Sequence, residues 1–151
     1  MYERILLAVD GSTSSDLATT QARQVAKAMN AEIKAIFVVD DSDMFFETSY
    51  IDPNDVLRGI MSVGQRTLAI VAQSMSDAGV RCMTELIEKP ISPGKISSTI
   101  VAQADAWNAD LIVMGTHGRR GMRRLIMGSV SEGVIAKTNK PVLLVRTELE
   151  D

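Results

Sequence analysis

Five short, mostly apolar runs alternate along this chain with four segments of helical periodicity, and this alternation most constrains its fold. The runs lie at 5–9, 33–39, 82–87, 111–114 and 142–145. Short runs rich in Val, Ile and Leu are typical of strands buried on both faces of a sheet. Strands separated by helices predict parallel pairing with right-handed crossovers. The sequence therefore predicts an α/β three-layer sandwich around a five-stranded parallel sheet.

Helix start and stop signals frame the first three helical segments. Ser and Thr at 12–15, with Asp16 in the first turn, open the first helix, and Asn30 ends it. Asp52-Pro53 supplies an N-cap and a first-turn proline for the second helix. Gly79 is expected to end that helix in a left-handed conformation. Ser92-Pro93 repeats the start signal before the third helix.

Length and composition predict a single domain over residues 1–151. The chain is 46% apolar and 23% charged, which describes an ordinary globular protein with an aliphatic core. Cys82 is the only cysteine, so we expect a buried hydrophobic side chain there rather than a disulfide or a reactive thiol. The sequence shows neither a signal-peptide core nor a run of about 18 apolar residues. A cytoplasmic protein without membrane contact is expected.

The connection after the fourth strand carries the strongest functional signal. Gly115 to Ser129 reads G-T-H-G-R-R-G-M-R-R-L-I-M-G-S. Glycines at the end of a strand let a ligand approach the backbone, and the N–H groups of a following helix bind phosphate. Ser129, followed three residues later by Glu132, predicts a capping box at the start of the fourth helix. The stretch is a candidate nucleotide-binding site.

Positive charge is concentrated in this connection. Arg119, Arg120, Arg123 and Arg124 lie within six residues, while the whole chain has a net charge of −3. A basic loop on an acidic protein suits a small anion, whereas nucleic acid would require a broad basic surface. No nucleic-acid partner is therefore expected.

The end of the first strand is the second place where the sequence carries residues able to bind a ligand. It reads Asp10-Gly11-Ser12, and ligands of open α/β sheets bind beyond the carboxyl ends of the strands. A site shared with Gly115 requires the first and fourth strands to be neighbours, which the pattern alone leaves open. Asp10 could accept a hydrogen bond from a ribose hydroxyl or an adenine edge. A turn former or helix cap is the alternative.

Three motifs together resemble the universal stress protein family over essentially the whole chain. They are G-x2-G-x9-G-[ST] at Gly115, Gly118, Gly128 and Ser129, then A-V-D-G-S at the first strand and P-V-L-L-V-R at the last. The resemblance implies the adenine nucleotide alpha hydrolase-like fold with strand order 3-2-1-4-5. That order would make the first and fourth strands neighbours.

The resemblance also implies a ligand, a site and a partner. The ligand is ATP, and the family's last strand, here Val142 to Val145, builds a homodimer. An unpaired edge strand invites such pairing. Carried over onto this sequence, the nucleotide-binding residues are Ala8, Asp10, Val38, Met114, Gly115, His117, Gly118, Gly128, Ser129 and Val130.

Catalysis is less well supported than binding. The chain has no G-x4-G-K-[ST] motif, because Gly94-Lys95 is followed by Ile96. His117 is the only histidine and could contact phosphate, and Asp10 could serve as a Mg²⁺ ligand together with phosphate oxygens. We expect an ATP-binding stress-response module with at most slow hydrolysis. The alternatives are a weak ATPase or nucleotide transferase, and a module that binds AMP or cyclic AMP or acts without nucleotide through a protein partner.

Overall fold

The computed structural model describes residues 1–39, 53–88, 96–116 and 128–147. The predicted strands and helices are all present, with bounds close to those expected. In chain order they are β1 Arg4–Ala8, α1 Thr13–Met29, β2 Glu32–Val38, α2 Pro53–Asp77, β3 Cys82–Ile87, α3 Ile96–Trp107, β4 Leu111–Gly115, α4 Ser129–Lys137 and β5 Val142–Val145.

The five strands form one parallel sheet in the order β3-β2-β1-β4-β5. This confirms the predicted architecture and the strand order implied by the family resemblance. Ala8 at the end of β1 lies opposite Ile36 of β2 and Met114 of β4. The first and fourth strands are therefore neighbours, as a shared site at their carboxyl ends requires.

Helices cover both faces of the sheet and bury the apolar side chains in the middle of the central strands. On one face Leu7 and Val113 pack with α1 and α2, and on the other Leu6 and Ile112 pack with α3 and α4. Both sets are essentially inaccessible to solvent. Because side chains alternate between the faces of a strand, burial on both faces explains why β1 and β4 are continuous apolar runs.

Most helix ends follow the local sequence signals. Ser12 is the N-cap of α1, with its side chain accepting a hydrogen bond from the N–H of Ser15, and Asn30 closes the helix at a φ of 53°. Pro53 is the first residue of α2, and Gly79 follows that helix with a φ of 74°. Asp52 and Ser92-Pro93 lie outside the described residues.

The capping box predicted at α4 is wrong. Gly128, not Ser129, is the N-cap, and no side chain caps the helix. The carbonyl of Gly128 accepts the N–H of Glu132 at 3.0 Å and the hydroxyl of Ser131 at 2.9 Å. The chain enters the helix one residue before the box requires, so Ser129 is already helical. A capping box needs its serine at the non-helical N-cap position.

At the amino ends of the strands, one carboxylate connects the start of β1 to the start of β4. Asp110 Oδ2 accepts the N–H groups of Glu3 and Arg4, each at 2.9 Å. These hydrogen bonds, with Lys140 and Arg4 nearby, hold the pKa of Asp110 below its ordinary value. The start of β1 is thereby fixed to the start of β4, at the end of the sheet opposite the candidate site.

The structure also bears on two expectations, an unreactive Cys82 and the absence of a membrane-spanning helix. Cys82 is half-buried, and burial raises the pKa of its thiol, which is consistent with an unreactive side chain. Within the described ranges, none of the helices combines the length and apolar character that crossing a membrane requires.

Candidate functional site

The carboxyl edge of the central strands brings three predicted site residues together. Ala8 and Met114 lie opposite each other, and Val38 follows Ile36, the β2 partner of Ala8, by two residues. All three side chains belong to the core on the α3 and α4 face, where Val38 and Met114 are buried and Ala8 is half-buried. They close the core at the carboxyl ends of the strands, and Ala8 is the most accessible of the three.

Asp10 lies directly beyond β1 and is held from two sides. Its N–H donates to Ser15 Oγ at 3.1 Å, and its Oδ1 accepts the N–H of Ser12 at 2.9 Å. Gly11 between them has a φ of 82°, a left-handed conformation that glycine adopts at little cost. The turn-forming role of Asp10 is therefore present in the structure. Its role toward a ligand stays a prediction.

Gly115 is explained by packing between β4 and α1. A Cβ at this position would lie 2.3 Å from Ser14 Oγ and 2.8 Å from the carbonyl carbon of Ser14. Gly115 was expected to let a ligand approach the backbone, but in the structure its lack of a side chain makes room for the start of α1. Ser14, which is 2% exposed, was absent from the predicted site. No local sequence signal pairs it with Gly115.

The N-terminus of α4 is attached to the end of β4. The N–H of Gly128 donates to the carbonyl of Thr116, and the N–H of Thr116 donates to the carbonyl of Val145 at 3.0 Å. Gly128 has φ −75° and ψ 162°, a conformation open to any residue, so its backbone alone does not require glycine. Ser129 is exposed and Val130 is half-buried. Gly128 is half-buried as well, so Ser129 is the exposed residue among the three at this helix start.

Two helix N-termini therefore converge on the end of one strand. Ser14 in the first turn of α1 contacts Gly115, and the N-cap of α4 is bonded to Thr116, the next residue. Each helix carries the equivalent of about half a positive charge at its N-terminus. The end of β4 is consequently an environment that stabilises an anion.

The remaining predicted ligand contacts, His117 and Gly118, lie outside the described residues, and their roles stay predictions. The four arginines of the connection between β4 and α4 also lie outside the described residues. For Mg²⁺, the described ranges contain no group of three or more His, Cys, Asp or Glu side chains that could hold a metal ion. An ion at Asp10 would thus take most of its ligands from phosphate and water, as Mg²⁺ commonly does.

The sheet order and this edge define the class of protein, an open α/β fold with its candidate site where the winding direction reverses between β1 and β4. The model of the universal stress protein family matches residues 1–146. The chain belongs to the universal stress protein family.

Individual relatives agree with this assignment. Universal stress protein MJ0531 of Methanocaldococcus jannaschii is 37% identical over 149 residues, which cover 97% of this chain and 83% of the relative. Universal stress protein UspA from Lactobacillus plantarum is similar in structure, with a TM-score of 0.80, 28% identity and coverage of 96% and 98% of the two chains. A universal stress protein solved in complex with cAMP has a TM-score of 0.70, 25% identity and coverage of 97% and 99%.

Proposed function

We propose that this protein binds an adenine nucleotide, ATP, at the carboxyl ends of β1 and β4 and acts as a regulatory module of the stress response. The observation that carries the proposal is the convergence of two helix N-termini on the end of β4, one strand away from Asp10. Membership of the universal stress protein family supports it. Nucleotide binding would act through conformation or partner contacts.

The site divides into an apolar part and an anion-binding part. Adenosine would lie near Ala8, Met114 and Gly115, the adenine would contact Val38 through its main chain, and the phosphates would contact the N-terminus of α4. Three charge-assisted hydrogen bonds to phosphate contribute about 5 to 9 kcal/mol before the costs of ordering and association. Micromolar affinity requires about 8 kcal/mol in total, so burial of the adenine must supply the difference. The residues proposed to contact the phosphates are Gly118, Gly128, Ser129 and Val130, with His117 beside them.

Mg²⁺ is proposed to accompany ATP, held by the phosphate oxygens and water, with Asp10 as a ligand only in a pose in which its carboxylate does not bind the ribose. The ion would neutralise phosphate charge. Hydrolysis is proposed to be slow at most, because the sequence has no P-loop lysine and a single histidine. Phosphate release that survives replacement of His117 and Asp10 would show that neither residue is catalytic.

A monophosphate or cyclic nucleotide is the second candidate ligand. A solved universal stress protein that is 25% identical to this chain was obtained in complex with cAMP. The same strand ends would hold its adenosine. The number of phosphates contacted at α4 would distinguish the ligands, because each added charge-assisted hydrogen bond contributes about 1.5 to 3 kcal/mol.

A homodimer through β5 completes the proposal. β5 is an edge strand. The carbonyls of Val145 and of Pro141, the residue just before β5, accept the N–H groups of Thr116 and Ile112 on the β4 side. Because main-chain groups alternate in direction along a strand, those of Val142 and Leu144 point toward the open edge. A second copy of the chain could pair there.

Two measurements test the proposed ligand. The purified protein is denatured, and any released nucleotide is identified by chromatography and mass spectrometry. The protein freed of nucleotide is then titrated by calorimetry with ATP, AMP and cyclic AMP, each with and without Mg²⁺. We expect ATP to bind more tightly than AMP. Absence of binding at millimolar ATP would rule out the leading proposal, and preferential binding of cyclic AMP would favour the second candidate.

A further inference from the structure

The first turn of α1 fixes both the main chain and the side chain of Asp10. The N–H of Asp10 donates to Ser15 Oγ at 3.1 Å, and the N–H of Ser12 donates to Asp10 Oδ1 at 2.9 Å. Ser15 is 3% exposed, so water competes little for its hydroxyl. Burial makes this hydrogen bond more restrictive than the same contact in solvent.

Ser15 is itself held in place by its neighbours in the helix. Its N–H donates to Ser12 Oγ at 3.2 Å, and its carbonyl accepts the hydroxyl of Thr19 at 3.0 Å. Thr19 is also buried. The Ser15 hydroxyl, which accepts the N–H of Asp10, thus projects from a helix turn that is itself held by hydrogen bonds. The position of Asp10 therefore depends on that turn.

The hydrogen bond from Ser12 also determines which atom of Asp10 faces a ligand. Oδ1 is engaged within the turn, which directs ligand recognition to Oδ2. An ionised carboxylate can only accept hydrogen bonds, so its partner on a nucleotide must be a donor. The donors available on ATP are the ribose hydroxyls and the adenine amino group.

The position of Asp10 favours the ribose over the base. Ala8 lies opposite Met114, so Asp10 is level with Thr116, whose carbonyl binds the N–H of Gly128 at the start of α4. Neighbouring strands are about 4.8 Å apart, which places Asp10 close to the end that would receive phosphate. The ribose hydroxyls lie nearer the phosphates of a nucleotide than the adenine amino group does.

We infer that Ser15 is a positioning residue that sets Asp10 to recognise a ribose hydroxyl, and that the pair gives the site a preference for ribonucleotides over deoxyribonucleotides. This role presupposes the nucleotide binding proposed above. Ser15 acts through Asp10, and it needs no contact with the ligand itself.

The test measures discrimination rather than affinity alone. Dissociation constants for ATP, 2′-deoxy-ATP and 3′-deoxy-ATP are determined by calorimetry on the unmodified protein, Ser15→Ala, Ser15→Thr and Thr20→Val. We expect the unmodified protein to prefer ATP about tenfold or more over the analogue that lacks the recognised hydroxyl. Ser15→Ala should reduce this ratio to about twofold or less by weakening ATP alone, because only ATP uses the oriented carboxylate.

The other variants separate positioning from a general loss of structure. Ser15→Thr retains a hydroxyl and should retain the preference. Thr20→Val removes a hydroxyl of the same helix that binds the carbonyl of Asp16 rather than that of Ser15, and it should leave the ratio unchanged. Equal loss of the ratio in Ser15→Ala and Thr20→Val would assign the effect to the helix as a whole and overturn the inference.

A second pair of variants covers the case in which Ser15→Ala fails to fold. Ser12 has a φ of −77°, which proline adopts. Ser12→Pro and Ser12→Ala both lose the capping hydroxyl, but only Ser12→Pro loses the N–H that binds Asp10 Oδ1. The ribose preference should fall further in Ser12→Pro, and equal ratios in the two variants would contradict the inference.

The analogue series also separates this inference from the proposed function. If the unmodified protein binds neither ATP nor its analogues, the proposed function is wrong and the role of Ser15 is wrong with it. If the unmodified protein binds ATP and both deoxy analogues equally well, the proposed function stands and only the role of Ser15 is overturned.

Discussion

Ser14 occupies the space that a side chain on Gly115 would need. A Cβ on Gly115 would lie 2.3 Å from the hydroxyl oxygen of Ser14 and 2.8 Å from its carbonyl carbon. The two residues are 101 positions apart in sequence, and their contact sets how closely the start of α1 approaches the end of β4. The first glycine of the glycine-rich motif therefore shapes the site through packing.

Gly115→Ala is expected to destabilise the fold by about 2 to 3 kcal/mol, since an added methyl group meets main-chain atoms that cannot rotate away. The measurement is the free energy of unfolding in urea. Ser14→Gly in the same chain should restore part of the lost stability, because it removes the Ser14 side chain. The restoration should be incomplete, because the carbonyl carbon of Ser14 remains within 2.8 Å of the added methyl group. An unchanged unfolding midpoint in Gly115→Ala would contradict this packing.

Gly128→Asp is expected to separate helix stability from nucleotide binding. Aspartate is a better N-cap than glycine and interacts favourably with the helix dipole, so α4 should gain about 0.5 kcal/mol. The same carboxylate would repel phosphate, and ATP affinity should fall at least about 100-fold. Thermal unfolding and calorimetry measure the two effects. Retained ATP affinity would place the phosphates elsewhere.

Gly79→Asp is the matched control for this charge change. Gly79 is open to solvent with a φ of 74°, and a Cβ there meets nothing within 4 Å. It precedes β3 and so lies toward the amino edge of the sheet. We expect it to lower stability by about 1 kcal/mol because of its left-handed backbone, with ATP affinity within about twofold of the unmodified protein.

Leu144→Pro is expected to abolish a dimer that pairs through β5. The N–H of Leu144 points toward the open edge, so proline removes a hydrogen-bond donor that only a partner strand would use. Leu144→Ala loses the same packing but keeps the N–H. Analytical ultracentrifugation at tens of micromolar should show a dimer for Leu144→Ala and a monomer for Leu144→Pro. If both variants are dimers, the interface lies outside the open edge of β5.

Asp110 is expected to contribute stability that depends on pH. The N–H groups of Glu3 and Arg4 lower the pKa of its carboxyl below the ordinary value of 3.8. Its contribution is therefore complete above that value and is lost as the pH falls through the lowered pKa. Asp110→Asn should be less stable at neutral pH, and its difference from the unmodified protein should shrink in more acidic solution.

Urea unfolding across the acidic range measures this difference. The effect will be small, because the carboxylate lies at the surface. Asp105→Asn is the control. Asp105 lies near the same end of the sheet, but its carboxylate is paired with Lys140 at 3.9 Å rather than with the N–H groups that Asp110 accepts. A constant difference between Asp110→Asn and the unmodified protein at every pH would assign the effect to shape rather than charge.

Signals between near neighbours in the chain were sufficient to predict most of the elements. Asn30 and Gly79 end their helices in left-handed conformations as expected, and Pro53 begins α2. The same kind of signal failed at Ser129, because a capping motif does not determine the residue at which a helix begins. There the N–H of Gly128 binds Thr116 at the end of β4, and a contact outside the helix decides where it starts.

The alternation of buried strands and amphipathic helices can be read from the chain alone, because periodicity and capping depend on residues within a few positions of one another. Two contacts at the candidate site become visible only in the folded protein: Gly115 makes room for Ser14, and Ser15 holds Asp10 from within α1. The first joins residues about a hundred positions apart and arises from the packing of whole elements, which no local pattern encodes. The second requires one turn geometry among several that the local sequence could adopt.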